Sequence, residues 1–397
     1  MPRDLPATTA SDPDDWWWIF DPRLSLRARA ALVTGVGTLA FTLLAATLTG
    51  TLVRRSLERQ AGANFETLAF QLGDKLDRVI LTRHHDLQLA ASLASIRQSD
   101  TPAADRRKLL ELIQDNARDF AWIGFADGGG TVRAASAGIF DGTSVANRPW
   151  FRIARERTYT AGPAELPALT SELNPGGDSR AARYLDLAVP VQSADGPLLG
   201  VLGAHLSWDW VREVQLSVVP EAARRERIGV TVYSATGEVL LDSGGSGWTQ
   251  PPEPPALSDP RKFRGTLLEP TAGGTSYVTG FARSRGYREY RGLGWLIAVR
   301  QPADLVLAPA RELQRTLFGW GSLLTVALVT ISWISAGRLS RRLRSVRLAA
   351  ERIRGGDVLT VLPRPPGDSE LARMCGSVGN LVEELREKPP ADDGAKK

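Results

Sequence analysis

Three histidines, His84, His85 and His205, and one cysteine, Cys375, are the side chains here that most often carry nucleophilic, acid–base or metal chemistry. Their spacing serves none of the three. His84 and His85 are neighbours in a helical pattern, where adjacent side chains point about 100° apart and do not chelate one ion. They read as part of a solvated helix face. A lone cysteine forms no disulfide within the chain, so an exported domain would rely on its own packed core. The chain has no Gly-x-Ser-x-Gly elbow and no histidine-rich metal motif. Asp127-Gly128-Gly129-Gly130 lacks the Lys-Ser/Thr and the helix of a phosphate loop, and reads as a turn. Asp186 and Asp209 are carboxylates that no local pattern singles out. The residues therefore point to no catalytic group, no metal ligand and no cofactor, and His205 stands alone on a strand-like stretch.

The elements that would position a binding group begin with a long helical pattern. Phe65, Leu68, Leu72, Leu76, Val79 and Ile80 recur at three- and four-residue steps, and Leu87, Leu89 and Leu93 continue it less regularly. Such a helix can pack on a domain along one side and on a partner helix along another. From Phe120 the period becomes strand-like. Residues 120–126 and 131–136 flank the glycine turn as a hairpin. Residues 184–192 and 198–206 flank Ala194-Asp195-Gly196, and residues 228–234 and 238–242 flank Ala235-Thr236-Gly237. Residues 276–283 and 293–300 form a fourth hairpin with a longer loop. The hairpins fall into two sets, 120–210 and 228–303, which is a loose duplication of a small α+β module with an antiparallel sheet. The proline- and glycine-rich stretch 244–259 reads as a surface loop within the second set.

Overall composition, with 43% hydrophobic and 23% charged residues, hides two uncharged runs, residues 30–53 and 316–337. At ~1.5 Å rise per residue, about 20 residues cross the hydrocarbon core of a bilayer. Both runs are expected to be transmembrane helices. The first is too long for a signal-peptide core and follows an acidic, tryptophan-rich segment, so it reads as a retained anchor. Trp16, Trp17 and Trp18 suit the headgroup level. Arg23, Arg27 and Arg29 precede the first run, and Arg338, Arg341, Arg342, Arg344 and Arg347 follow the second, against Arg54, Arg55 and Arg59 on the other side. This bias places both termini, including segment 1–29, in the cytoplasm and exports residues 54–315. The net charge of +5 comes largely from these arginines, which suit anionic lipid headgroups rather than nucleic acid.

A long helix followed by two such modules between two spans resembles the double Cache (PAS-like) sensor family. The words that carry the resemblance are Asn147-Arg148-Pro149-Trp150-Phe151 with Ala154, then Gly162-Pro163, Ala188-Val189-Pro190-Val191, and Gly200-Val201-Leu202-Gly203-Ala204-His205-Leu206. The resemblance implies an α+β fold with a distal module near residues 100–215, which holds the ligand, and a membrane-proximal one near 225–305. Arg148 and Trp150 match the family's Arg-x-Trp element, where the guanidinium can grip a carboxylate and the indole can wall the site. Alternatively, Arg148 makes a loop salt bridge and Trp150 fills the core. Amino-acid-binding members carry tyrosines where Thr143 and Phe151 stand here, and an aspartate on the last strand, aligned with His205. Histidine does not replace that charge. The expected ligand is therefore an organic acid or other small anion held by Arg148, with Trp150, Phe151, Tyr159 and His205 around it. A core role for His205 stays open.

Beyond the second run, Leu339, Leu343, Val346 and Ile353 form one helical stripe, and Met374, Val378, Leu381, Val382 and Leu385 a second. Gly355-Gly356-Asp357, Leu362-Pro363 and Gly367-Asp368-Ser369-Glu370-Leu371 lie between them. This resembles a HAMP domain over residues 338–388, with Ser345-Val346 where many members have proline, and 389–397 as a disordered tail. HAMP modules are two-chain helical bundles, which implies a homodimer. Gly355-Gly356-Asp357 also resembles the opening of a diguanylate cyclase signature, but Val358 follows and too little chain remains for that fold. The expected function is a bacterial inner-membrane receptor that binds a small periplasmic ligand and signals through HAMP to a separate cytoplasmic output protein. A sensor kinase or cyclase cut short of its catalytic domain, or an anchored exported enzyme, are the alternatives.

Overall fold

The computed structural model describes residues 25–173, 183–193, 196–219, 223, 225–243, 261–270, 275–355 and 370–387. The tryptophan triplet, the 244–259 loop, residues 194–195, the connector between the two cytoplasmic helical stripes and the 389–397 tail lie outside the described residues. Two units emerge, one of residues 54–309 and one of the flanking segments.

In the flanking unit, the start of helix α1 (Leu26–Ser92) meets the long helix Ala308–Arg354. Gly35 faces Val329, Thr42 faces Gly321 and Gly50 faces Gln314, so numbers rise against falling numbers and the helices are antiparallel. Small residues let the backbones approach, as is common between membrane helices. Thr34 and Ser332 lie in hydrogen-bond reach at 3.2 Å, and Arg27 donates to the Gly337 carbonyl at 3.3 Å. The helix Glu370–Glu387 follows later in the chain.

The other unit is organised on the rest of α1. Phe65, Ala69, Leu72, Leu76, Ile80 and Leu87 are buried along one stripe, as the pattern predicts. Leu89 departs from it, at 66% exposed. Two five-stranded antiparallel sheets pack on this stripe. The first contains β1 (Phe120–Asp127), β2 (Val132–Ala135), β3 (Tyr159–Glu165), β4 (Arg183–Gln192) and β5 (Leu198–Ser207), in the order β2-β1-β5-β4-β3. The second contains β6 (Gly229–Tyr233), β7 (Val239–Asp242), β8 (Arg264–Pro270), β9 (Ser276–Arg283) and β10 (Leu296–Pro302), in the order β7-β6-β10-β9-β8. The orders are identical once renumbered, which makes the duplication topological. All four expected hairpins form. The edge strands β3 and β8 are the additions. β3 carries Gly162-Pro163 and a register shift between Ala161 and Ala164, features an edge strand tolerates because a proline has no N–H to give to a ladder.

Both sheets turn their aliphatic face to α1. Ile123, Phe125, Leu185, Leu187, Val189, Leu202, Ala204 and Leu206 do so from the first sheet, and Val230, Val232, Val278, Ile297 and Val299 from the second. Gly280 allows the close approach, since a Cβ there would lie 2.0 Å from the Glu66 backbone nitrogen. Asp77 of α1 is 2% exposed and accepts from the Ser284 hydroxyl at 2.7 Å and the Gly286 N–H at 2.9 Å, which pins the β9–β10 loop to the helix. His84 is buried, not part of a solvated face, and burial pulls its pKa down. His85 is exposed and meets Glu289 at 2.5 Å. The modules join where Arg183 donates to the Val239 carbonyl at 2.8 Å and the Trp208 indole to the Leu240 carbonyl at 3.0 Å.

Candidate functional site

The opposite face of the first sheet is built differently, and its register explains why. One rung across four strands reads Trp122, His205, Asp186, Ala161. The next reads Gly124, Gly203, Ala188, Tyr159. Three small residues in that second rung leave a trough. Trp150 lies in it, so that a Cβ on Gly203 would come within 2.6 Å of its ring. Trp122 likewise occupies the space above Gly124.

Trp150 comes from α2 (Pro149–Ala154), which begins with proline at its first position, where the missing N–H leaves no bond unmade. Arg148 is the residue before that helix. Its side chain is exposed and makes no ion pair among the described residues. Helix α3 (Pro167–Leu173) follows β3. Between these helices, the 140–145 loop and the sheet face lies a cavity of about 540 Å³. Arg148, Trp150, Tyr159 and His205 all line it, with Trp122, Phe140, Glu165 and Asp186. Phe151 does not: it is buried, with its ring edge-on to Trp150 at 6.1 Å and 83°. Trp150 both fills core and walls the cavity, so the two alternatives for it are not exclusive.

His205 is 6% exposed and its Nδ1 lies 2.8 Å from Asp186 Oδ1. Its ring stacks on Trp122 at 5.0 Å and 28°, and meets Trp150 edge-on at 6.2 Å. The Trp122 N–H donates to the Ile139 carbonyl at 3.0 Å, which fixes the indole. Burial pushes the Tyr159 hydroxyl pKa up, and the Asp186 charge adds to this. The cavity thus joins a free guanidinium at one side to a carboxylate–imidazole pair on the sheet, between aromatic walls. Such an arrangement holds a small polar organic molecule. No group of three or more potential metal ligands occurs among the described residues.

Asp186 is the residue that sequence reasoning passed over, and the hairpin held the signal. Val191 pairs with Gly200, and counting five residues back along β4 and five forward along β5 brings Asp186 opposite His205. The argument that a histidine deprives the site of negative charge therefore fails, because the neighbouring strand supplies a carboxylate.

Residues 53–310 match the Cache domain family and residues 334–387 the HAMP domain family. No curated protein matches the chain. Among solved structures, it is similar to the ligand-binding domain of the Pseudomonas aeruginosa PAO1 amino acid chemoreceptor PctC in complex with GABA. The identity is 18%, over 62% of this chain and 99% of that one, with a TM-score of 0.44. It is also similar to the sensory domain of the Campylobacter jejuni chemoreceptor Tlp3 with isoleucine bound. That identity is 9%, over 64% of this chain and 97% of that one, with a TM-score of 0.48.

Proposed function

This chain belongs to the Cache domain family, and from that premise we propose that it is an inner-membrane receptor for a small carboxylate, with a HAMP domain as its transmitter. The observation that carries the reading is the cavity of about 540 Å³ with an unpaired Arg148 at its edge. A guanidinium fork matches a carboxylate bidentately, and aromatic walls supply apolar contact without much loss of side-chain freedom.

Two helices are long and apolar enough to cross a membrane. Their apolar windows are 6% and 0% buried, whereas a core helix of a soluble domain would be mostly buried. This supports spans near 30–53 and 316–337, with the 54–315 sensor in the periplasm and both termini in the cytoplasm. Within the sensor, the first sheet is the ligand-holding distal module and the second the membrane-proximal one. HAMP bundles use two chains, so the receptor works as a homodimer. The ligand biases the receptor by binding one arrangement more tightly than another, and a separate cytoplasmic protein reads the outcome. The chain acts as a sensor, not as an enzyme.

Asp186 favours a second ligand class. A carboxylate opposite a guanidinium complements a zwitterion, so α-amino acids stand beside organic acids as candidates. The test is thermal unfolding of the full chain in lipid nanodiscs against both classes. A ligand at 100 times its dissociation constant adds about 2.7 kcal/mol. The expected result is a rise in melting temperature that disappears in Arg148→Ala. No rise with any carboxylate, or a rise undiminished in that variant, overturns the reading.

A further inference from the structure

Anchoring by Arg148 leaves the sheet side of the cavity without a task, and on that side His205 is held by Asp186, Trp122 and Trp150. A carboxylate only accepts hydrogen bonds, so the proton between Asp186 Oδ1 and His205 Nδ1 sits on the ring. The neutral imidazole then carries its lone pair on Nε2. Trp122 stacked on one ring face, Trp150 at the edge and a carboxylate directly across the strand pair leave the ring little freedom. Among the described residues, neither Nε2 nor Asp186 Oδ2 has a hydrogen-bond partner. The sheet side therefore presents two spare acceptors. The other titratable or charged groups on the cavity are Tyr159 and Glu165 from β3 and Arg148, the residue before α2.

We propose that Asp186 is a positioning residue that holds His205 as an acceptor, so that the cavity selects carboxylates bearing a hydrogen-bond donor over the same acid without one. This rests on the cavity being the ligand site and deepens that reading. The donor is a hydroxyl or an amino group.

The experiment is calorimetric titration of the full chain in nanodiscs with propionate, lactate and alanine, and with the matching four- and five-carbon sets, so that the hydroxyl and the amino donor are compared separately. Within a set, a donor-bearing member is expected to bind roughly 10- to 100-fold more tightly than the unsubstituted acid. Asp186→Asn narrows the preference within each set, because the amide no longer dictates the tautomer. His205→Gln, whose amide oxygen can accept, retains part of the preference, and His205→Phe abolishes it. Equal binding across each set, or a preference that survives both Asp186→Asn and His205→Phe, overturns the inference while leaving the cavity as the site. If no acid binds and Arg148→Ala changes nothing, the reading of the cavity itself falls.

Discussion

His205 and Arg300 stand at matching places, each two residues before the end of the central strand of its sheet, β5 and β10. At His205 the sheet face opens on a cavity, with one imidazole nitrogen engaged by Asp186. At Arg300 the same face is closed. The side chain is fully buried, donates to the Tyr233 hydroxyl at 2.7 Å and the Thr231 hydroxyl at 3.3 Å, and lies 3.5 Å from the Glu269 carboxylate. The duplicated fold thus carries a polar group at one position in both copies. One copy encloses it among its own residues, and the other leaves acceptors spare under aromatic walls. The second sheet is then expected to need its polar group for folding, and the first, on the proposed function, for binding.

The largest expected effect tests this division directly. Arg300→Met strands Glu269 in a buried site, and removing one partner of such a pair costs about 3–5 kcal/mol. Replacing both, with Arg300→Met and Glu269→Leu, should recover much of that loss. Arg148→Ala, at an exposed residue without an ion pair, should alter stability by no more than about 0.5 kcal/mol while removing ligand-induced stabilisation. Thermal unfolding of the three variants without ligand checks the contrast. Comparable losses in Arg300→Met and Arg148→Ala would break it.

A smaller effect concerns the residues two places earlier, Gly203 and Ala298. The second sheet accommodates a methyl at this point, fully buried beside Phe281 and Leu296. The first sheet does not, because the Trp150 indole occupies the space. Gly203→Ala should cost about 1–3 kcal/mol by overpacking, displace Trp150 and weaken ligand binding. A variant as stable as the parent, with unchanged ligand affinity, would show that the trough is not what seats the tryptophan.

The parts of this fold legible in the sequence are those with a local cause. Each short hairpin turn has a glycine at positive φ, Gly130 at 84°, Gly196 at 102° and Gly237 at 93°. The α1 stripe shows as a helical period because one side of the helix is buried along the sheets. Edge strands carry weaker marks. β3 holds a Gly-Pro pair that reads as a turn, and in β8 only Glu269 is buried, so no apolar alternation announces it. At the site, Arg148, Trp150, Tyr159 and His205 line one cavity, and Phe151 packs on Trp150 outside that lining. Trp122 reaches His205 through pairing of β1 with β5, strands far apart in the chain, which no local pattern encodes. The burial of His84 is likewise set by which side of α1 faces the second module's β9–β10 loop, a tertiary choice.

The smallest effect sharpens the comparison through pH. Burial pushes the Glu269 carboxyl pKa up, the Arg300 charge opposes this, and the net direction is upward. The folded state therefore holds the proton more firmly than the unfolded chain. Glu269 contributes stability in full below the ordinary glutamate range, near about pH 4.3, and loses it as pH rises through the raised folded value. Asp77 shares the sign, since burial outweighs its bonds from Ser284 and Gly286. Glu269→Gln should keep the hydrogen-bonding shape, remove one titration and flatten the fall in melting temperature as pH rises above the ordinary glutamate range. If the fall is undiminished, Asp77 or another group carries it, and the closed face of the second sheet holds its ion pair without the desolvation cost that sets it apart from the open face of the first.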